Sequence, residues 1–343
     1  MKLFIFGAGA SKGSQKGNED PSKISPLADE LFSEPYRHFA ADLGFFEDEI
    51  KQFDQERASS ASLEDWLTKW WTDIPLYTTE KRKNADRAKV GRLQMYFWLL
   101  FQRVSETYNH DNVYGALLRK LNNADIEYGF VTFNYDTLLD RAVQKELGIE
   151  LRGSIDRYID AKLIKLHGSV NWFFPPINGD IPFQNERIHN DHQVRYRHAA
   201  NIFFANGPKD LGSIVIEDPT HSQIGQLDYV FSPKFQHQYF LTCLFLPILQ
   251  KEYNDVKGFS EKVFAAADRV AKQASEVYII GYKGRDKIIQ DVLKNVPNGV
   301  NLHVISDKHA EKVSTDILSW ATHLKTGERH NGGFKTFVEK VSL

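Results

Sequence analysis

The apolar positions of the chain change period twice. KLFIF (2–6) is a short unbroken apolar run closed by glycine, which predicts a buried strand. GAGAS follows and reads as a tight glycine turn. KGSQKGNEDPSKISP (12–26) is polar and rich in Gly, Ser and Pro, the pattern of a long loop. From about residue 27 to 122 apolar residues recur at three- and four-residue spacing, as in LADELF and FFEDEIKQF, and predict helices. Ser62 followed by Asp65 resembles a capping box ahead of WLTKWW. The stretch from Lys81 to Lys120, charged at its start and apolar later, reads as one or two bundle helices.

The period then shortens. EYGFVTF (127–133) predicts a strand, and TLLDRAVQKEL (137–147) a helix ended by Gly148 as its C′ residue. KLIKLHGSV (162–170) predicts a strand running into a second special turn. Residues 175–235 are loop-rich. FSEKVFAAADRVAKQA (259–274) is an amphipathic helix. EVYIIGYKGRD (276–286) is a strand plus a glycine turn, KIIQDVLKNV (287–296) a helix and VNLHVISD (300–307) a strand. Strands alternating with helices imply a parallel sheet with crossovers. The expectation is an α/β fold: a Rossmann-like parallel sheet built from 1–26 and 123–343, with 27–122 as an inserted α-helical subdomain.

Composition narrows the function classes. The 343 residues are 42% hydrophobic and 26% charged, with a net charge of −2, so no basic excess marks a nucleic-acid binder. The charges of KRKNADRAK (81–89) lack interleaved aromatics and read as a solvated helix face. The single cysteine, Cys243, excludes a disulfide framework and a cysteine-based zinc site, and fits a reducing cytoplasm. The N-terminal apolar run Leu3–Phe6 is too short for a signal peptide, and no segment has the uninterrupted apolar length of a membrane span. The expected protein is soluble and cytoplasmic, with no membrane partner.

Candidate chemistry sits at strand ends, where open α/β sheets bind their ligands. Gly7–Ala8–Gly9–Ala10–Ser11 puts small residues behind a strand and lets a backbone approach phosphate oxygens. It completes neither a G-x-G-x-x-G fingerprint, since Lys12 stands where the third glycine belongs, nor a P-loop. In FVTFNYDTLLDRAV (130–143) a buried strand ends in Asn134 and Asp136. Asp136 in the role of N-cap accounts for one of them; Asn134 sits a step earlier, where the strand is still apolar. His167, between an apolar strand and Gly168, is a general-base candidate, with a satisfied core histidine as the alternative. His189 and His192, with His198 beyond, lie in a polar segment without a further ligand set, so no metal is expected.

Taken in order, GAGAS, TFNYDTLLDRA, KLHGSVNW and IIGYKGRD resemble the sirtuin-like NAD-consuming family, and within it the bacterial branch whose members act as NAD-depleting antiphage effectors. The resemblance covers the first strand and roughly 125–310; the helical segment matches only in position. The four-cysteine zinc module and the GIPDFR-like loop of the deacylases are absent, which implies no zinc and no acyl-lysine groove. The resemblance implies that Asn134 orients water and the nicotinamide ribose, that Asp136 meets the nicotinamide carboxamide and that His167 is the catalytic base. It implies phosphate or ribose contacts from Gly7, Ala8, Gly9 and Ser11. Gly281, Tyr282 and Gly284 would form the loop near the adenosine half, and Ser306 and Asp307 would meet the adenine ribose.

The activity so implied is an NAD⁺ glycohydrolase, releasing nicotinamide and linear or cyclic ADP-ribose, with NAD⁺ as substrate and no required cofactor. ADP-ribosyl transfer and a non-catalytic NAD or ADP-ribose sensor stay open as alternatives. Control is expected from a homo-oligomer or a partner such as a translocase-type ATPase or an Argonaute-like protein.

Overall fold

The structure is a computed structural model that describes residues 1–15, 20–37, 46–60, 62–73, 93–94, 96–109, 112–173, 177–178, 214–220, 238–239, 242–244, 259–284 and 286–341. His189, His192, His198 and the charged run 81–89 lie outside the described residues. The strands in chain order are β1 (Lys2–Phe6), β2 (Tyr128–Thr132), β3 (Leu163–Lys165), β4 (Gly168–Phe173), β5 (Ile177–Asn178), β6 (Val215–Ile216), β7 (Gln238–Tyr239), β8 (Thr242–Leu244), β9 (Glu276–Ile280), β10 (Asn301–Ile305) and β11 (Lys325–His330).

Six strands form one parallel sheet in the order β11-β10-β9-β1-β2-β3. β1 is central, and Leu3, Phe4, Ile5 and Phe6 are wholly buried. A strand covered on both faces must be apolar at every position, which is why KLFIF shows no alternation. Phe4 stacks on Tyr278 of β9 at 4.8 Å and tilts against Phe130 of β2 at 5.9 Å. The sheet thus has the Rossmann-like α/β architecture expected from the sequence. Among the described residues no helix is long and apolar enough to cross a membrane.

The strand order fixes where a ligand belongs. The chain runs outward from β1 to β2 and β3, then returns to the other side of β1 for β9, β10 and β11. The order reverses between β1 and β9, so a crevice opens at their carboxyl ends. Gly7 and Gly281 stand there.

Two elements differ from the sequence reading. GAGAS is not a turn into a loop; Ala8–Ser14 is an α-helix with Gly7 as N-cap, and short 3₁₀ turns at Pro21–Lys23 and Ala28–Glu30 interrupt the segment that follows. Gly and Ser are poor helix formers, so propensity argued against this helix. Packing decides it: the helix lies against Gly333–Lys340, and small residues permit the close approach. KLIKLHGSV is also not one strand. It breaks at Leu166–His167, and Gly168, at φ 79°, starts β4. A Cβ on Gly168 would lie 1.9 Å from the Cys243 carbonyl oxygen, so only glycine lets β4 pair with β8 there. β4 leaves the parallel sheet for an antiparallel one in the order β6-β4-β8.

Within 27–122 the described helices Glu34–Arg37, Phe46–Arg57 and Leu63–Asp73 and the helical residues 96–105 enclose Phe32, Phe53, Trp66 and Tyr96. Ser62 caps its helix as expected, its hydroxyl accepting from the Asp65 N–H at 3.1 Å. The Val113–Asn123 helix covers the sheet and packs on Leu138–Leu147.

Candidate active site

At the carboxyl ends of β1, β2 and β9 lies an open cleft with a cavity volume of about 370 Å³. Ala8, Gly9, Asn134, Asp136, His167 and Tyr282 line it.

The cleft's floor is a close contact between the turn after β9 and the N-terminus of the Ala8–Ser14 helix. Gly281, at φ 62°, sits so near the first helix that a Cβ on it would lie 2.1 Å from the Ala10 nitrogen. The Gly7 N–H donates to the Ile280 carbonyl at 3.0 Å and the Gly9 N–H to the Gly281 carbonyl at 2.9 Å. These two amides therefore hold the floor together, and what Gly7 and Gly9 contribute is the absence of side chains.

Asn134 is buried and its side chain is oriented by three groups. Nδ2 donates to the Gly7 carbonyl at 3.0 Å and to Ser11 Oγ at 2.9 Å, with the Tyr114 hydroxyl at 3.5 Å. Ser11 Oγ and Tyr114 OH share a further hydrogen bond of 3.1 Å. Burial, reinforced by the Asp136 charge, pushes the Tyr114 phenol well above its ordinary range, so it stays a hydroxyl. With the NH₂ group engaged by protein acceptors, Oδ1 is the atom Asn134 offers to the cleft. Ser11 and Gly7 act one layer below, by holding Asn134.

Asp136 caps the Leu138–Leu147 helix through Oδ1, which accepts from the Leu138 N–H at 3.1 Å. Its Oδ2 is buried and has no hydrogen-bond partner among the described residues. Burial raises this carboxyl above the usual carboxylate range, against the pull of Lys165 and the Ser11 hydroxyl. His167 is buried in the break between β3 and β4. Its ring meets Phe133 edge-on at 5.0 Å and stacks beside Tyr135 at 6.0 Å, while Nε2 lies 2.9 Å from Asp286 Oδ2. Phe133 in turn stacks on Tyr282 at 4.5 Å, within 6° of parallel.

No family model and no curated protein matches the chain. It is similar to solved Sir2 structures. One is Sir2 with the inhibitor EX-527, 2′-O-acetyl-ADP-ribose and deacetylated p53 peptide, at 13% identity and a TM-score of 0.40, covering 99% of this chain and 91% of that one. Sir2Tm bound to a propionylated peptide gives 13% identity and 0.38 over the same shares. Sir2 with p53 peptide and NAD⁺ gives 13% and 0.39, again over 99% and 91%.

The remaining expected residues fall outside the cleft lining. Gly284 packs its α-carbon toward Ile317. Ser306 and Asp307 close the turn after β10: Ser306 Oγ accepts from the His309 N–H at 3.3 Å, and the Asp307 carbonyl from the Gly332 N–H at 2.9 Å. Among the described residues no group of three His, Cys, Asp or Glu side chains is placed to hold a metal ion.

Several lining residues carried no assignment from sequence. Asp286 is the N-cap of Lys287–Lys294, a signal legible in RDKIIQ, but its contact with His167 is not. Phe133 and Tyr135 alternate with Asn134 and wall His167. Asp29 and Glu64 come from the helical segment, and no motif marks them. Burial holds Glu64 above the usual carboxylate range, with Asp29 adding to the rise and Lys283 opposing it. Lys283 faces Asp29 at 3.6 Å across the mouth.

Proposed function

We propose that the chain is an NAD⁺ glycohydrolase that cleaves NAD⁺ to nicotinamide and ADP-ribose. The observation that carries this reading is the convergence of Asn134, Asp136 with its Oδ2 unpartnered among the described residues, and His167 on one cleft at the β1/β9 switch point. The ordered resemblance of the four strand-end motifs supports the same reading. In it, 27–122 is an inserted helical subdomain that closes one side of the cleft.

The chemistry follows from those groups. Breaking the nicotinamide–ribose bond returns the electron pair to the pyridinium nitrogen, so nicotinamide leaves neutral and needs no acid. Oxocarbenium character develops at the anomeric carbon, as in glycoside hydrolysis. Asn134 Oδ1 accepts a hydrogen bond from a ribose hydroxyl or the incoming water. Asp136 meets the carboxamide. Water adds to the anomeric carbon and its proton passes to His167. Depletion of NAD⁺ serves antiphage defence in this proposal, controlled by self-association or a partner protein.

The test is NAD⁺ loss and product identity with purified full chain across a concentration series, with and without its genomic neighbour. His167→Ala is expected to lower turnover by about 10²-fold or more. NAD⁺ that binds and is never consumed would replace the glycohydrolase with a sensor.

A further inference from the structure

We propose that Asp286 is the positioning residue for His167, fixing the tautomer in which Nε2 carries the proton and Nδ1 is left as the basic nitrogen. The two oxygens of Asp286 have separate duties. Oδ1 accepts from the Ile288 N–H at 2.9 Å and starts the Lys287–Lys294 helix. Oδ2 lies 2.9 Å from His167 Nε2. A carboxylate only accepts, so the proton of this contact belongs to Nε2. With Nε2–H committed, a neutral imidazole can take a proton only at Nδ1.

The arrangement is built from rigid parts. Asp286 cannot swing toward the histidine independently, because its other oxygen is held by a helix N-terminus. The imidazole cannot rotate freely either, with Phe133 at its edge and Tyr135 beside its face. The loop carrying Asp286 begins at Gly281, whose carbonyl accepts the Gly9 N–H. The positioning group and the cleft floor are therefore parts of one construction, contributed by strands on the two sides of the switch point.

That His167 acts as a base rests on the glycohydrolase reading; the tautomer does not, and the experiment separates the two. Asp286→Asn is the informative change, because Asn is as good an N-cap as Asp. Its carbonyl oxygen would stay on the Ile288 N–H, and its NH₂ group would face His167. A donor then opposes Nε2–H, and the ring must move its proton to Nδ1. In ¹⁵N-histidine-labelled full chain, the wild type should give the Nε2–H signature for the neutral His167 ring, and Asp286→Asn the Nδ1–H signature. His167→Ala assigns the resonance. Turnover should fall roughly 10²- to 10⁴-fold, the scale of a wrong-tautomer defect, with KM changed less than about threefold. Asp286→Glu should recover part of the loss. In a His167→Ala background, Asp286→Asn should cost nothing further.

An unchanged His167 tautomer in Asp286→Asn overturns the proposal, as does an equal turnover loss with His167 already removed. If no form of the chain consumes NAD⁺, the glycohydrolase reading fails while the nitrogen spectra still decide the tautomer.

Discussion

Two carboxylates four residues apart, at the turn where β2 enters its helix, are treated in opposite ways. Asp140 is wholly buried and fully engaged. Oδ2 meets Lys165 Nζ at 2.8 Å and Oδ1 accepts from the Tyr158 hydroxyl at 3.0 Å. Tyr158 in turn accepts from Asn171 Nδ2, which also donates to the Glu217 carbonyl at 2.8 Å. Asp136 is nearly as buried, yet its Oδ2 has no partner among the described residues. Burial costs both groups their hydration; Asp140 recovers it at both oxygens, Asp136 by a direct bond at Oδ1 alone. Asp140 is scaffolding. Asp136 holds an unmade hydrogen bond at the cleft, which is what a group reserved for a ligand looks like. Lys165 links the two, because Nζ also donates to the Asp136 backbone carbonyl at 2.7 Å and so sets the turn that carries Asn134 and Asp136.

The largest effect should come from cutting that link. Lys165→Met leaves the Asp140 charge buried and unpaired, and should destabilise the fold by about 3–5 kcal/mol in denaturant unfolding. A cost below about 1 kcal/mol would mean that the network is not scaffolding. Next in size is the cleft side of the comparison. Asn134→Ala should lower NAD⁺ turnover by about 10²-fold, or roughly 2.7 kcal/mol of barrier. Folding should lose about 1–3 kcal/mol as well, because the Gly7 carbonyl and the buried Ser11 hydroxyl lose their donor beneath the cleft.

Asp136→Asn tests the difference between the two carboxylates directly. It keeps the Leu138 cap and removes a charge whose folded-state carboxyl lies above its ordinary value of 3.8. The folded protein binds this proton more tightly than the unfolded chain. Native stability therefore falls as pH rises from the ordinary value through the raised one, and the penalty is complete above the raised one. Asp136→Asn should be more stable than wild type at neutral pH. The gain should vanish in melts at acid pH, below the ordinary carboxyl value, and turnover should fall. Equal stabilities at neutral pH would show that Asp136 carries no stored penalty.

What was legible in the sequence divides along a physical line. Helix and strand periods pointed to the sheet, since the buried positions of β1 and β9 are unbroken apolar runs and those of β2 and β10 are apolar but for Thr132 and His303. Asn134 and His167 stood out because a polar group interrupts an apolar run. Asp286 did not, because a capping aspartate is complete as a cap and its second oxygen leaves no trace in the local pattern. The Ala8–Ser14 helix was hidden for a related reason: its sequence disfavours helix, and the contacts that support it come from residues 281 and 333–340. Asp29 and Glu64 reach the cleft from a segment whose local periodicity says only that it is helical.

The smallest expected effect concerns the mouth of the cleft. Asp29, Glu64, Asp136 and Asp286 make the lining acidic, and Lys283 is the one lysine or arginine among the described lining residues. An acidic wall suits the cationic nicotinamide ring and opposes the pyrophosphate of the same substrate. Lys283 lies 3.6 Å from Asp29, and both are more than half exposed, so their pairing should contribute under about 0.5 kcal/mol to stability. Its effect should appear in substrate capture instead. Lys283→Ala should leave the melting temperature unchanged and raise KM for NAD⁺ about three- to fivefold at low salt, shrinking toward none near 0.5 M, where the screening length is only a few ångströms. Asp29→Asn should move KM the other way over the same salt range. If both substitutions leave KM unchanged, the exposed charges at the mouth are solvated surface, and discrimination rests on the buried groups beneath them.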